Sequence, residues 1–246
     1  MASVKKFTAK AVKNLLRHNN REIVNDRNKY IDKRKTSQNY SLTPDRGSLT
    51  EFEYFKVRKA QVHCHNRSDV ITVAGWICPL PPEVTEAEQQ KEFFQLTYSF
   101  LQDRYGMENV IQATVHYDEC ISVMRRSGNG DLLYDVNGQP ECDYLLGRPH
   151  LHFVFIPVTR NENPRHSQRE KICAKEVLGP QELRRFHADY QCYLDAHGMK
   201  ARVVNRLPAD NCPWCADEDE TAEKSDINRL RDEIRKARRW TNNFSK

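Results

Sequence analysis

Three stretches of the chain have the largely apolar pattern that is typical of buried β-strands. Residues 69–78 (DVITVAGWIC), 109–119 (NVIQATVHYDE) and 150–158 (HLHFVFIPV) are rich in β-branched and aromatic side chains. Residues 199–205 (MKARVVN) form a fourth and weaker candidate. The pattern therefore predicts three strong strands and a weaker one.

Other stretches have the spacing of apolar residues that indicates helices. They are residues 7–18, 85–106, 179–198 and 225–240. In the second of them, Thr85 and Glu88 have the spacing of a capping box, and Gly106 is placed to end the helix. Residues 19–48 are polar and are predicted to be mostly loop. Helices and strands mixed in this order predict an α+β fold in which helices cover a small sheet.

The charge of the chain is unevenly distributed. Residues 1–46 hold twelve Lys or Arg and four Asp or Glu, a net of +8 in a chain whose total is +5, which leaves −3 for the rest. A strongly basic segment on a mildly acidic body favours a polyanion, most simply nucleic acid, as its partner. The alternative is an ordinary solvated helix face.

No apolar run approaches the roughly 20 residues that a membrane-spanning helix needs. The first twenty residues are basic and amphipathic like a transit peptide, but they contain one of the motifs discussed below. Because a secretory signal is also missing, the eight cysteines are most simply reduced thiols, some of them candidate metal ligands. We expect a cytoplasmic protein.

Two histidines open the third predicted strand, in the sequence GRPHLHFVFIPV. Residues two apart on a strand lie on the same face, so the imidazoles of His150 and His152 can reach one metal ion. Such a pair needs a third ligand. His116, in HYDE at the end of the second strand, supplies it if the two strands are neighbours.

Three neutral imidazoles would leave a divalent cation with its full charge and with open coordination positions. Such an ion is a Lewis acid suited to holding a phosphate oxygen. Of the adjacent carboxylates Asp118 and Glu119, one is a candidate for orienting a histidine and the other for acting as a base. For Asp118, an ordinary turn after a strand is an equal alternative.

These motifs resemble those of the MobV (Mob/Pre) plasmid mobilisation relaxases, a family of histidine–hydrophobe–histidine endonucleases. HYDE and RPHLHF are similar to the family pattern H-x-D-E-x-T-P-H-x-H, and RHNNR and NYSL are similar to H-N-x-R and N-Y-x-L. The segment that begins AKEVLG resembles the region after the metal-binding strand. The matches occur in the order of the family and cover most of residues 1–206.

The resemblance implies an antiparallel sheet flanked by helices, of the histidine–hydrophobe–histidine relaxase type, with a basic helix-loop segment at its N-terminus. It implies a DNA relaxase that nicks and rejoins one strand at an origin of transfer for plasmid or mobile-element mobilisation. The 5′ phosphate would stay covalently attached to the protein. Single-stranded or hairpin origin DNA is the expected partner, with conjugation coupling proteins as further partners.

The resemblance also assigns roles to individual residues. His18 would be the nucleophile, since a neutral imidazole can attack phosphorus and give a reactive phosphoramidate. Arg21 would stabilise charge on the phosphate oxygens, and Glu119 is the candidate base. His116, His150 and His152 would bind Mn²⁺ or Mg²⁺. A tyrosine nucleophile is the main rival.

Seven residues of the basic segment are candidates for DNA binding. They are Arg17, Arg27, Lys33, Arg34, Lys35, Asn39 and Tyr40. Among the tyrosines of this segment, Tyr40 is expected to pack or to stack rather than to react. Tyr30 is the other candidate for a rival nucleophile.

The sequence departs from the family pattern between the two metal-binding motifs. A short link is replaced by the 28 residues 120–147, and Arg148 stands where the family has threonine. Asn-Gly pairs at 129–130 and 137–138 predict hairpin turns in this insertion. It is either a harmless hairpin, because loops tolerate added length, or a DNA contact through its arginines.

We expect two parts in the chain, a catalytic domain over residues 1–206 and a charged tail over residues 207–246 with a basic helix. The tail contains CPWC, where Cys212 and Cys215 form half of a zinc site; free thiols are the simpler interpretation. Two rival functions are a rolling-circle replication initiator with the same metal site and a zinc-containing DNA-binding protein without catalysis. The first would need a tyrosine in the active-site helix, and the second would need CPWC to be paired.

Overall fold

The structure is a computed structural model, and it describes residues 1–23, 28–165 and 167–204. These residues belong to one compact unit that ends at residue 205. The predicted helix at 225–240, the CPWC motif and the boundary after residue 206 lie outside the described residues and stay predictions. Within the described part of the chain, no helix is long and apolar enough to cross a membrane.

The described chain contains nine strands and five α-helices. In order they are β1 (Ser3–Thr8), α1 (Ala9–Asn19), β2 (Tyr40–Ser41), α2 (Glu51–Gln61), β3 (Ile71–Pro79), α3 (Ala87–Tyr105), β4 (Val110–His116), β5 (Cys120–Met124), β6 (Cys142–Leu146), β7 (His150–Phe155), β8 (Val158–Arg160), β9 (Glu170–Ile172), α4 (Ala174–Val177) and α5 (Pro180–Ala196).

The main sheet has five strands in the order β1-β3-β7-β4-β2, and every neighbouring pair is antiparallel. Strand β7 lies at the centre and is covered on both faces. Its even-numbered side chains Val154 and Ile156 pack with α1 and α2, whereas Phe153 and Phe155 pack with α3 and α5. A strand that is buried on both faces has to be apolar throughout, which explains the run FVFI. The predicted antiparallel α+β fold is confirmed.

The same alternation decides which face carries the histidines. His150 and His152 are even-numbered on β7 and therefore lie on the face that α1 covers. On β4, Ala113 and Val115 pack toward α3, so His116 lies on the α1 face as well. Strand register then places His116 directly opposite His150.

Several details of the predicted elements were wrong. The first helix begins at Ala9, because Ser3–Thr8 pairs with β3 as a strand that the sequence pattern did not reveal. Residues 199–204 do not form a strand; the N–H of Val203 donates instead to the side chain of Gln191 on α5, at 2.8 Å.

The predicted capping box of α3 is absent. Its N-cap is Glu86, and no side chain caps it. A capping box occurs in α2, a helix that the sequence analysis missed, where Thr50 and Glu53 bond each other's backbone N–H groups. Gly106 ends α3 as predicted, with a φ of +87° that favours glycine.

The insertion is a β-ribbon. Strands β5 and β6 pair from Cys120↔Leu146 to Met124↔Cys142, and the ribbon continues beyond them through two further bridges. Both predicted Asn-Gly turns are present, with Gly130 and Gly138 at φ +89° and +74°. The ribbon leaves the domain directly after Glu119.

Candidate metal centre and active site

Three histidines and one carboxylate converge where β4 and β7 lie side by side. One ligand atom from each of His116, Glu119, His150 and His152 can be chosen so that all four lie within 4.8 Å of one another. The structure thus brings together the three histidines that the sequence singled out. It adds Glu119, which follows the end of β4 by three residues.

Two backbone carbonyl groups fix the rings of two of these histidines. His116 donates from Nε2 to the carbonyl of Asn19 at 2.8 Å, and His150 donates from Nδ1 to the carbonyl of Arg148 at 3.0 Å. A carbonyl oxygen can only accept, so each of these nitrogens carries its hydrogen. In the neutral rings, the lone pairs are therefore on Nδ1 of His116 and Nε2 of His150.

Those lone pairs face other acceptors. Nδ1 of His116 lies 3.1 Å from Oε1 of Glu119, and Nε2 of His150 lies 3.2 Å from Oε2 of the same carboxylate. The Nε2 atoms of His150 and His152 are 2.9 Å apart. Acceptors at such distances need a proton or a cation between them. Two ligand atoms each about 2.1 Å from an ion and at right angles would lie about 3 Å apart, so the set fits a divalent cation.

Burial favours the metal-binding form of His152. Desolvation lowers the pKa of His152 to about 4, against the opposing hydrogen bond with Glu119. The ring is therefore neutral over most of the ordinary pH range. A neutral ring has a lone pair to offer to a metal ion.

Glu119 is strongly anionic at this position. Burial opposes its ionisation, but His116, His150 and His152 outweigh burial when protons lie on the nitrogens that face Glu119, and they hold its pKa well below the usual range. A carboxylate of such low basicity accepts a proton poorly. The expected role of Glu119 as a base stays a prediction, and the geometry favours a metal-binding carboxylate.

A buried ion pair between Arg21 and Asp118 lies next to Glu119. Asp118 is fully buried and accepts two hydrogen bonds from Arg21, from Nε at 3.0 Å and from Nη2 at 2.6 Å. Thr36 Oγ1 donates to the same carboxylate at 2.8 Å. Arg21 Nη2 also lies 3.0 Å from Oε1 of Glu119. The Asp118 carboxylate therefore orients Arg21. From the sequence, the alternatives for Asp118 were to orient a histidine, to act as a base or simply to form a turn.

Arg21 occupies a special backbone position. Its φ is +59°, in the left-handed region that non-glycine residues rarely adopt. This conformation follows the end of α1 and turns the guanidinium back toward Asp118, while its Nη1 donates to the carbonyl of His18 at 3.2 Å. The strained backbone of Arg21 therefore goes together with the placement of its guanidinium beside Asp118.

His18 lies in the last turn of α1, exposed to solvent and next to Asn19, whose carbonyl holds His116. Partial burial and the positive charge of Arg21 lower its pKa, against the smaller opposing effect of Glu119. The imidazole therefore stays neutral below the pH at which a free histidine becomes protonated. A neutral imidazole is the form that can act as a nucleophile.

Gln112 fastens this end of α1 to the sheet, and the sequence analysis missed it. It is fully buried on β4, donates to the carbonyl of Leu16 at 3.2 Å and to Asn20 Oδ1 at 2.8 Å, and accepts from Asn19 Nδ2 at 2.9 Å. The available signal was a polar residue within an apolar strand, an even number of residues before His116.

The candidate DNA-binding residues are spread around this centre. Arg17 pairs with Glu22 at 3.4 Å, and Arg34, almost fully exposed, pairs with Asp32 at 2.9 Å. Lys33 is exposed and Lys35 is half-buried. Arg27 lies outside the described residues.

Asn39 and Tyr40 face inward. Asn39 Oδ1 accepts from the backbone N–H of Tyr117 at 2.7 Å, and the rings of Tyr40 and Tyr117 lie 6.4 Å apart. Desolvation raises the pKa of Tyr40, whose hydroxyl is buried. Tyr40 packs, as the sequence analysis expected, and its hydroxyl is poorly placed for attack on phosphorus.

The Arg21–Asp118 pair should be essential for stability as well as for the site. We expect Asp118→Asn to lower the free energy of unfolding by about 3–5 kcal/mol, because it leaves a largely buried guanidinium without its main partner. Chemical denaturation would measure this effect. Asp143→Asn is the matched control, since its pair with Arg125 on the ribbon is exposed. Equal stability of the two variants would contradict the buried pair.

The fold is similar to that of solved relaxase domains. The fold is similar to the MobM relaxase domain in a manganese-bound complex with oriT DNA, with a TM-score of 0.61 and 21% identity over 92% of this chain and 97% of that chain. A second manganese-bound complex of that domain gives a TM-score of 0.57, with 21% identity. At these identities, the likeness concerns the fold.

The family described as plasmid recombination enzyme (Mob/Pre) matches residues 1–203, and the chain belongs to this family. A plasmid recombination enzyme of Bacillus thuringiensis is 24% identical over 182 residues, which are 73% of this chain and 34% of the relative. One of Lactiplantibacillus plantarum is 24% identical over 213 residues, 84% of this chain and 49% of the relative. The chain thus spans between a third and a half of the length of these relatives.

Proposed function

We propose that this chain is a relaxase domain that cuts one strand of DNA at an origin of transfer, holds the 5′ phosphate covalently and later rejoins the strand. The observation that carries the proposal is the convergence of His116, His150, His152 and Glu119 beside the end of α1, where His18 lies. Membership of the plasmid recombination family supports it, and related relaxase domains are described as bound to oriT DNA.

We propose Mn²⁺ as the ion held by the three histidines and Glu119. Mg²⁺ prefers an octahedron of oxygen ligands and several waters, so a set with three imidazoles suits it less well. Related relaxase domains are described as Mn-bound, one of them at pH 4.6. When bound here, such an ion would polarise a phosphate and neutralise its charge.

The chemistry of the strand transfer falls to His18. Its neutral ring nitrogen forms a bond to phosphorus while the bond from phosphorus to the 3′ oxygen breaks. The 3′ oxygen takes up a proton and leaves as a hydroxyl group, and the other nitrogen of the ring releases its proton to solvent. Because the pKa of His18 is lowered, the attacking form is available near neutral pH. Attack by a 3′ hydroxyl on the phosphoramidate reverses the step and rejoins the strand.

Arg21 acts in this proposal as a positioning residue. Its guanidinium is bonded to Asp118, to Glu119 and to the carbonyl of His18, so it links the nucleophile to the metal-binding carboxylate. Direct stabilisation of charge on a phosphate, which the sequence suggested, would require Arg21 to give up one of these partners.

We further propose that DNA approaches along the cations of the N-terminal segment, at the exposed Arg17, Lys33 and Arg34 and at the half-buried Lys35. Phosphate contacts at these positions would provide affinity without sequence preference. A cytoplasmic location and an interaction with conjugation coupling proteins are expected from the family and complete the proposal.

The decisive experiment uses supercoiled plasmid that carries the DNA flanking the coding sequence on its own element. Incubation with Mn²⁺ should convert it to open circles with protein attached to a 5′ end, and a chelator should prevent the conversion. The matched control is the same vector without the flanking DNA. Tight binding without any nicked product would instead support a DNA-binding protein without catalysis.

A rolling-circle replication initiator is the second candidate, and the described residues favour it less. An initiator is expected to carry its tyrosine in the active-site helix, and α1 contains no tyrosine. Tyr30, which is 51% exposed, is the tyrosine that an initiator would have to use instead. Mapping the covalent adduct to a residue separates the two candidates.

A further inference from the structure

A pair of aromatic residues, one exposed and one half-buried, lies where the β-ribbon leaves the domain. The rings of Tyr30 and Tyr144 are 5.0 Å apart and meet edge to face, with an angle of 86° between their planes. Tyr30 is 51% exposed, and Nζ of Lys29 lies 5.6 Å from the centre of the Tyr144 ring. Two aromatic rings and a cation are thus available at the surface.

The backbone fixes this pair close to the metal centre. Ile31 forms a β-bridge with Glu119, and the N–H of Cys120 donates to the carbonyl of Tyr30 at 2.8 Å. Tyr144 pairs with Ser122 across the ribbon. Since a strand advances about 3.3 Å per residue, the pair lies within about 10 Å of backbone from Glu119.

Small side chains allow the two rings to meet. Cys120 and Ser122 lie two apart on β5, so they share a face of the ribbon. The carbonyl of Tyr30 accepts from the N–H of Cys120, and Tyr144 is paired with Ser122. The two tyrosines therefore lie diagonally across a shallow surface. Leu146, 48% exposed, pairs with Cys120 and extends that surface.

The charges around this surface favour a polyanion. Residues 28–35 contain Lys29, Lys33, Arg34 and Lys35 against a single acid, Asp32. Of the two arginines of the ribbon, Arg125 lies 2.8 Å from Glu141 and Arg126 donates to the carbonyl of Gly130 at 2.7 Å. The ribbon therefore offers aromatic and apolar surface, and the neighbouring loop offers positive charge.

We propose that Tyr30, Tyr144 and Lys29 form a stacking site for an unpaired base of the origin strand, next to the nucleotide that is cut. The inference rests on the proposed function, because it places the strand at the metal centre. Aromatic rings beside a basic track are how proteins hold single-stranded DNA, with bases on the rings and phosphates on the cations. One ring of the pair comes from the 28-residue insertion, so the site depends on the feature that departs from the family pattern.

Binding is tested without catalysis, in a chelator, with fluorescently labelled oligothymidine of about 20 nucleotides. Stacking tolerates any base, so this probe needs no knowledge of the origin. We expect Tyr144→Ala to weaken binding about ten-fold and Tyr144→Phe to bind within about two-fold of the unchanged protein, because the ring provides the contact. The control is Tyr134→Ala, which removes an exposed tyrosine further out on the same ribbon.

Salt titration distinguishes the contribution of the Tyr144 ring to binding from that of the Lys29 charge. Lys29→Gln should reduce the dependence of log Kd on log salt by about one, whereas Tyr144→Ala should leave this slope unchanged. Equal affinity of the Tyr144→Ala and Tyr134→Ala variants would overturn the proposal. So would a loss in Tyr144→Phe as large as in Tyr144→Ala, since it would assign the contact to the hydroxyl.

Once a nick site has been mapped, abasic substitutions along the origin oligonucleotide locate the stacked base. The unchanged protein should lose affinity at one position beside the nick, and the Tyr144→Ala variant should show no further loss there. If the loss of affinity caused by the abasic site and the loss caused by Tyr144→Ala simply added at every position, stacking on Tyr144 would be contradicted. If plasmid is not nicked but oligothymidine binding still depends on the Tyr144 ring, the relaxase function fails and the stacking contact stands.

Discussion

His152→Ala should reduce the affinity for Mn²⁺ by more than about 100-fold and should abolish nicking with it. The substitution removes one of three imidazoles that converge with Glu119, and no neighbouring ligand is placed to replace it among the described residues. DNA binding should be retained, because the cations that we propose to contact DNA lie on other elements. Titration calorimetry with Mn²⁺ and a plasmid-nicking assay measure the two effects.

The matched control is His197→Ala, which removes an exposed histidine at the end of α5. The pH dependence gives a second test. From the unperturbed pKa of histidine, metal binding would fall below about pH 6, but burial lowers the pKa of His152 to about 4. Protons should therefore compete for this ligand only near pH 4. Nicking by a His152→Ala variant that binds no metal would rule out the three-histidine centre.

His18→Ala should form no covalent complex with DNA and should nick at least on the order of 10³-fold more slowly, as expected for loss of a nucleophile. Mn²⁺ affinity should be unchanged, because His18 is not among the residues that converge on the ion. The attacking form is the neutral ring, so protonation removes activity on the acid side. Since the pKa of His18 is lowered, this loss should begin below pH 6.5.

The chemical stability of the adduct identifies the attacking residue. A phosphoramidate is labile in acid, whereas a tyrosine phosphodiester survives it. Labelled oligonucleotide is cleaved by the unchanged protein, denatured and divided between acid and alkali. Tyr30→Phe and Tyr40→Phe should still form the adduct. An acid-stable adduct that peptide sequencing maps to Tyr30 would instead indicate a tyrosine enzyme of the replication-initiator type.

The sequence by itself determined the class of the fold and most of the metal centre. Doubly buried β7 has to be apolar throughout, so its run of large residues indicates a central strand. Strand alternation alone is enough to place His150 and His152 on one face. The order of the motifs indicated the family. Each of these features depends on residues that are close together in the chain, so it can be read directly from the sequence.

The tertiary structure decided how those residues are used. Only the pairing of β4 with β7 places His116 opposite His150, and only the return of α1 over the sheet lets Asn19 and Gln112 hold the site. Glu119 was expected as a base, yet three surrounding histidines lower its basicity. Contacts between residues nearly a hundred positions apart depend on packing and strand register. The spacing of two residues along the chain does not show whether packing and strand register bring them together.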